Sequence, residues 1–340
     1  MTLVTSPCHI ESSSSLDDFD DADDPALESP CVGKKFRRRK IIFAFRAALT
    51  GSIGGLLLGY DLGVMSGALP IITREFGLSV YQQELVTSLM LFGCVIGACG
   101  GGIVCDRIGR KRTVYIVCLI FLLGSIIMST SHTLPMLYIG RVIIGFGVSV
   151  SAIVDISYLS EISPPEYRGA VVGTNEFMIT VGILLAFFID FIFMNISGGW
   201  RYMFAFPIIL VSIWSILMAF MPESPRWLLV KGHTDEAMQV YLITCGRSES
   251  DALREYKHAD ASIQTSRASD SFGLHNCGGK RWQLSMVVSI ALMLLQQLSG
   301  HAPVITYAPE LFAKAGRVGS DQQCQCLSCL SHPAISHNET

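Results

Sequence analysis

Charge is what this sequence has least of. Asp, Glu, Lys and Arg make up 16% of its 340 residues, too few to solvate the surface of a soluble domain of that size. The formal net charge of -3 leaves no basic excess for a nucleic-acid partner. Metal-ligand spacing is also missing. Cys94, Cys99, Cys105 and Cys118, from a total of eleven cysteines, lie inside apolar runs and read as small packing residues rather than a disulfide framework. No nucleophile-base pair, metal cluster or phosphate loop stands out, so the chain reads as a non-enzyme with no cofactor and no metal. The stretch down to Glu28 is polar and acidic, which points away from a cleaved signal and leaves membrane insertion to the first apolar span.

What is present is hydrophobic length. Half of the residues are apolar, and a bilayer core about 30 Å thick needs about 20 of them per helix. Segments of that kind run from Ile42 to Ser66, Leu85 to Cys105, Thr113 to Met128, Pro135 to Tyr158, Ala170 to Met194, Tyr202 to Met221 and Leu284 to Tyr307. The fold class is therefore an all-α, multi-pass membrane protein. Between the second and third spans, Asp106-Arg107-Ile108-Gly109-Arg110-Lys111-Arg112 packs five charges into a short connection, which requires water at that end of both helices. Glycine is dense in the spans (Gly51, Gly54, Gly55 and Gly59 in the first), allowing close helix contact.

Lys34, Lys35, Arg37, Arg38, Arg39 and Lys40 precede the first span. Further basic residues fill the second connection and the stretch from Arg226 to Arg281, while the odd-numbered connections carry chiefly Arg74 and Arg201. The positive-inside bias then makes the N-terminus cytosolic, in the plasma membrane or an internal membrane. The expected organisation is a disordered cytosolic tail over 1-40, a six-helix bundle over 41-221, a cytosolic loop with short helices over 222-282, a seventh span over 283-310 and an atypical tail over 311-340.

Ionisable groups inside spans are costly, and each is a candidate functional residue. Asp61 lies far along an outward-running helix and Arg141 early in an inward-running one, so at about 1.5 Å per residue both reach the outer part of the bundle. Protonating the acid would release the arginine, a proton switch; a permanent ion pair that fixes helix register is the alternative, and the residues alone leave both open. Glu176 falls in a polar stretch that an aqueous cavity would wet, Asp190 on nearly the same face reaches toward the outer headgroups, and Asp155 approaches the cytosolic face. Gln296 and Gln297, near mid-depth of the seventh span, carry donors and acceptors that suit sugar hydroxyls better than an ion, with interhelical hydrogen bonding as the alternative. His301 by itself reads as a packing residue.

Six ordered motifs carry a family resemblance. Gly59-Tyr60-Asp61 with Ser66-Gly67-Ala68-Leu69 resembles the opening of the sugar porters of the major facilitator superfamily. Gly102-x-x-x-Asp106-Arg107-x-Gly109-Arg110-Lys111 matches the superfamily loop, and Gly140-Arg141 with Gly145 and Gly147 fits its fourth helix. Tyr158-x-x-Glu161-x-x-Pro164-x-x-x-Arg168-Gly169, Pro222-Glu223-Ser224-Pro225-Arg226-Trp227-Leu228 and Gln296-Gln297-Leu298-Ser299-Gly300 are similar to the remaining signatures. The resemblance covers residues 42 to 316. Asn175-Glu176 and Val181-Gly182-Ile183-Leu184 look most like the third class of facilitative glucose transporters.

The resemblance implies two six-helix halves rocking about a central site that binds a small sugar, with the bilayer and protons as further partners. It assigns Gln296 and Gln297 to substrate, with Glu176 where many relatives have a sugar-contacting Gln, and His301 in the stretch where an Asn is expected. Asp61 and Arg141 match the pair linked to proton coupling in symporting relatives, and passive facilitators usually carry Asn at the acid's position. Asp106, Arg107, Arg110, Glu161, Arg168, Glu223 and Arg226 resemble a network that latches the cytosolic gate; plain positive-inside topology accounts for the Lys and Arg but not for the paired acids.

The family needs about twelve spans, whereas about seven are found here. Beyond Gly316, Cys324, Cys326, Cys329 and His332 replace the expected eighth span; a zinc set is one reading, an altered reading frame, alternative exon or truncated gene model the more economical one. Two expectations follow: a portion of a hexose or polyol transporter, proton-coupled in its complete form, or a non-transporting isoform or fragment that associates with and restrains a full-length homologue.

Overall fold

The computed structural model describes residues 30–164, 166–245, 248–270, 280–300 and 304, and no β-strand occurs among them. Helix α1 (Pro30–Gly51) runs into α2 (Ile53–Phe76), followed by α3 (Val80–Ile108), α4 (Arg110–Ser129), α5 (Leu134–Ile162), α6 (Arg168–Phe193) and α7 (Gly199–Ala219). Three short helices follow, α8 (Pro225–Lys231), α9 (Thr234–Thr244) and α10 (Glu249–Asp270), and then α11 (Lys280–Leu298). Six helices among the described residues are long and apolar enough to cross a membrane: Arg38–Phe76, spanning α1 and α2, and then α3 to α7. The junction at Ser52 keeps its hydrogen-bond ladder, with Ser52 N–H donating to the Ala48 carbonyl at 3.0 Å and Leu56 N–H to the Ser52 carbonyl at 3.1 Å. Gly51, Gly54 and Gly55 loosen the helix there without ending it.

Three expectations from sequence are corrected. Residues 30-40, placed in the disordered tail, are helical, because the Lys and Arg run has good helix propensity and simply extends the first span. The Asp106 to Arg112 connection is hardly a loop: Asp106 to Ile108 end α3, Arg110 to Arg112 open α4, and Gly109 alone makes the turn with φ +104°. Helices α3 and α5 are each 29 residues long, well past the apolar runs that marked them. At its start α3 is held by a capping box, Ser79 Oγ accepting from Gln82 N–H at 3.4 Å and Gln82 Oε1 accepting from Ser79 N–H at 3.0 Å. Of the expected seventh span over 283-310, the described residues include the apolar stretch Leu284–Leu298 of α11, and the remainder lies mostly outside them.

Close backbone approach builds the bundle. Helix α2 packs on α6 and α3 on α5, while α4 bridges α5 and α7. A Cβ at Gly59 would run into the Ile179 carbonyl, and one at Gly182 into the Leu56 carbonyl; Gly93 and Gly145 stand in the same relation to Val142 and Met90 across α3 and α5. Lipid supplies no hydrophobic drive between helices, so this contact is a large part of what holds them together. Outward faces are apolar, with Leu91, Phe92, Val95 and Ile96 of α3 and Phe188 and Phe191 of α6 exposed, while Tyr60, Phe121, Tyr158, Trp200 and Trp214 fill the interior. Gly59→Leu is expected to prevent assembly of α2 on α6, read as loss of the monodisperse peak in size-exclusion chromatography. Leu at Gly100, where a Cβ meets nothing within 4 Å, should leave that peak unchanged.

Helices α8 to α10 form a small satellite core around Leu228, Leu229, Ala237, Val240, Tyr241, Ala252 and Ile263. Pro225 at the first turn of α8 and Gly232 with φ +84° after its last fix both ends of that helix.

Candidate functional site

Arg141 of α5 is wholly buried, and its Nη1 lies 3.1 Å from Asp61 Oδ1 and 3.4 Å from Oδ2 on α2. Glycines beside each residue seat its helix against a third one, Gly59 and Gly63 of α2 against α6 and Gly145 of α5 against α3. Its guanidinium stands 5.1 Å from the centroid of the Phe204 ring on α7. Nε and Nη2 have no hydrogen-bond partner among the described residues. The carboxylate is thus the one acceptor for a cation that is otherwise enclosed by apolar surface, and each charge depends on the other. Such a pair can hold two helices in one register, and adding a proton to the acid removes the reason for that register.

Two other intramembrane acids turn into the bundle, a side of the helix that the sequence did not assign. Asp190, expected near the outer headgroups, is buried, with Oδ2 accepting from Gly67 N–H at 3.1 Å and 3.5 Å from Ser66 Oγ on α2. Gly67 lets α2 approach so closely that the backbone itself satisfies the acid, and Oδ1 has no partner among the described residues. Asp155, expected near a membrane face, is also buried and accepts from Ser151 Oγ at 2.8 Å within α5. Neither position is legible from depth counting, because burial depends on which side of the helix meets α2.

Glu176 on α6 is exposed, as are Gln296 and Gln297 on α11, and no hydrogen bond joins them among the described residues. The structure therefore does not bring the three together. His301 lies outside the described residues. Asn175, next to Glu176, is instead buried against Gly55 with its Oδ1 unpartnered among the described residues, a polar group the sequence reading treated only as a family marker.

At the basic end of the bundle, charges converge from four elements. Arg110 Nη2 donates to Glu161 Oε1 at 2.9 Å, Nε lies 2.9 Å from Oε2 without the alignment of a hydrogen bond, and Asp106 is 3.2 Å from the same guanidinium. Ser224 Oγ donates to Glu161 Oε2 at 2.5 Å and accepts from Trp227 N–H at 3.2 Å, so one hydroxyl both caps α8 and ties it to α5. Glu223 Oε1 accepts from Lys111 N–H at 2.9 Å and Ser224 N–H at 3.0 Å. Lys111 Nζ reaches the Ala219 and Met221 carbonyls at 3.0 and 2.7 Å, closing the end of α7. Trp227 Nε1 donates to the Asp106 carbonyl at 3.0 Å, and Tyr158 hydroxyl to the Pro222 carbonyl at 2.8 Å. Gly109 is forced by position as well as by φ, since a Cβ would stand 2.8 Å from Glu223 Oε2 and 3.2 Å from the Trp227 ring.

Of the seven residues expected in this network, Asp106, Arg110, Glu161 and Glu223 meet. Arg107, Arg168 and Arg226 are exposed and make no salt bridge among the described residues. Ser224, Lys111, Trp227 and Tyr158 were missed, although Ser224 before Pro225 is a helix-start signal that points to a cap. A second missed cluster closes the opposite end: Glu75 takes Arg201 Nη1 at 3.1 Å and Trp200 Nε1 at 2.5 Å, and Arg201 Nη2 reaches the Ser131 carbonyl at 3.3 Å.

Beside the Arg110–Glu161 contact is a cavity of about 270 Å³, enclosed by the end of α5, the start of α6 and helices α8 to α10. Burial and the nearby Glu255 charge raise the Tyr241 phenol above its ordinary pKa, and burial raises the Cys245 thiol.

Comparison with known proteins gives this geometry its context. A family model described as "Sugar (and other) transporter" matches residues 47–327. The chain is 39% identical over 270 residues to the glucose transporter GlcP of Staphylococcus epidermidis, covering 79% of this chain and 58% of that protein. It is 32% identical over 290 residues to the galactose-proton symporter of Escherichia coli K12, covering 85% and 61%. Identity to the human solute carrier family 2 facilitated glucose transporter member 12, of the third class, is 32% over 275 residues, covering 81% and 44%. Among solved structures, the proton:xylose symporter XylE of the major facilitator superfamily, bound to 6-bromo-6-deoxy-D-glucose, superposes with a TM-score of 0.74 at 26% identity, covering 85% of this chain and 66% of that one. The chain spans about half the length of the curated relatives it matches. With a family match across most of its length and a helical bundle of the same architecture, this chain belongs to the sugar transporter family of the major facilitator superfamily.

Proposed function

We propose that this chain contributes to a hexose or polyol carrier that works by alternating access and is driven by protons. The buried Asp61–Arg141 contact carries the reading, because it places one acid and one base of opposite charge where neither is tolerated alone. A proton arriving at Asp61 cancels the attraction and frees the guanidinium, so α2 and α5 acquire two arrangements biased by a single proton. Two relatives that are proton symporters by name support the coupling. Glu176 of α6 and Gln296 and Gln297 of α11, which stand apart in this chain, are the groups that meet the sugar when the second bundle is present, with His301 beyond the described residues, because they offer acceptors and donors to alternating hydroxyls.

The basic end is cytosolic by the positive-inside bias. There Asp106, Arg110, Glu161 and Glu223 clasp the helix ends while the central sugar site is open to the outside, with Arg107, Arg168 and Arg226 as outer members. The Asp106–Arg110 contact, with Asp106 largely exposed, is weak enough to break, while the better-buried Arg110–Glu161 contact holds the closed arrangement.

Labelled-hexose uptake at acidic and neutral pH tests the reading, using this chain and the chain extended by the second half of a relative. Acid-stimulated uptake by the extended form, reduced about tenfold in Asp61→Asn, is expected for a coupling of about 1.4 kcal/mol. Uptake that ignores pH and is unchanged in the variant removes the proton role.

One observation favours a second reading. The Leu284–Leu298 flank of α11 is exposed throughout, and so is Glu176, which suits a chain that docks on a longer relative and restrains it. Co-expression that leaves a relative's uptake unchanged would discard that idea.

A further inference from the structure

The geometry points to an anion site in the 270 Å³ cavity at the basic end, built to take a phosphate monoester and separate from any sugar-binding face. Its wall carries Arg168 from the start of α6, Arg226 from α8 and His258 from α10, facing Glu161, Glu255 and Tyr241. Glu161 is matched chiefly by Arg110 at 2.9 Å, and Asp106, the other acid on that guanidinium, has a side chain 74% exposed to solvent. That leaves Glu255 against two guanidiniums that make no salt bridge among the described residues, with the His258 imidazole beside them. The surplus is positive.

The groups also suit a phosphate in kind. Guanidinium forks match phosphate oxygens in pairs, and the Tyr241 hydroxyl, which makes no hydrogen bond among the described residues, supplies a neutral donor held un-ionised by burial and by Glu255. A volume of 270 Å³ is larger than one oxyanion needs and smaller than most drug-sized sites, so the ligand is a phosphate carrying a small group. A free phosphomonoester and the headgroup of a phosphorylated lipid offer that same chemistry. Bound there, it joins Arg168 on the transmembrane bundle to Arg226 and His258 on the satellite helices, bridging two guanidiniums that otherwise face the cavity with like charges.

Binding is measured on the purified chain in nanodiscs, so the outcome does not depend on transport. One arm titrates glycerol 3-phosphate against discs of neutral lipid by calorimetry; the other compares thermal stability in neutral discs with discs containing phosphatidic acid. Saturable binding in the first arm identifies a soluble source, and stabilisation confined to the second a lipid source. Arg168→Gln and Arg226→Gln are each expected to weaken the effect about tenfold, and the double variant to abolish it. Glu255→Gln is expected to strengthen it several-fold, a gain that a merely structural role would not produce, and Arg112→Gln, outside the cavity, to leave it unchanged. The site is overturned if neither arm responds, or if a folded, monodisperse double variant responds as the wild type does.

Discussion

Arg141→Met is expected to destabilise the folded chain by about 3–5 kcal/mol, while adding Asp61→Asn to it restores most of that loss. Met keeps the volume of the arginine stem and a sulfur contact to Phe204, so the single variant removes little packing. What it leaves is a carboxylate whose side chain is 7% exposed and whose ion-pair partner is gone. The double variant has no charge to strand. Thermal denaturation in detergent, followed by size-exclusion chromatography, reads both. The loss in Arg141→Met is expected to shrink in acidic medium, where a proton takes over the arginine's role of neutralising the acid. A single variant as stable as wild type at neutral pH would show that the two groups are not a mutually dependent pair.

Glu161→Ala is the second large effect, expected at about 2–4 kcal/mol because hydrogen bonds to charged groups are worth about 1.5–3 kcal/mol and a half-buried cation is left behind. Arg110 and Glu161 have side chains 12% and 11% exposed, well inside the range where solvent screening is incomplete. The same carboxylate anchors Ser224, so the variant also loosens the start of α8. Limited trypsin digestion is the measurement. Faster cleavage within 226-257, with the transmembrane bundle still intact, is expected; Glu161→Gln, which keeps an acceptor for Ser224, should show a smaller change. Equal protection in Glu161→Ala and wild type would mean that the clasp adds nothing to the docking of α8 to α10.

Much of the bundle was legible because lipid imposes a simple rule: backbone groups must be satisfied within a helix, and the helix must be apolar for about 20 residues. All six long helices therefore surfaced as apolar runs, with ends misplaced wherever polar residues continue a helix into water, as at Val80, Pro30 and Ile162. The clasp was partly legible because its acids have no place in a positive-inside pattern. Ser224, Lys111 and Trp227 escaped notice since each acts through a backbone contact or a single hydroxyl, which no charge count reveals. The inward turn of Asp190 was not legible because counting residues along α6 gives depth, not the side of the helix that Gly67 allows to touch α2.

The order of motifs, the number of long apolar helices and the presence of one acid and one arginine at similar depth belong to the sequence, since hydropathy and residue chemistry are local properties. Which groups meet belongs to the tertiary structure. Asp61 finds Arg141 across 80 residues, and Arg110 finds Glu161 across 51, because α5 packs against both α2 and α4 once the bundle is assembled. The cavity between Arg168, Arg226 and His258 arises in the same way, from three helices whose charges are distant in sequence and converge only when the satellite core packs beneath the bundle.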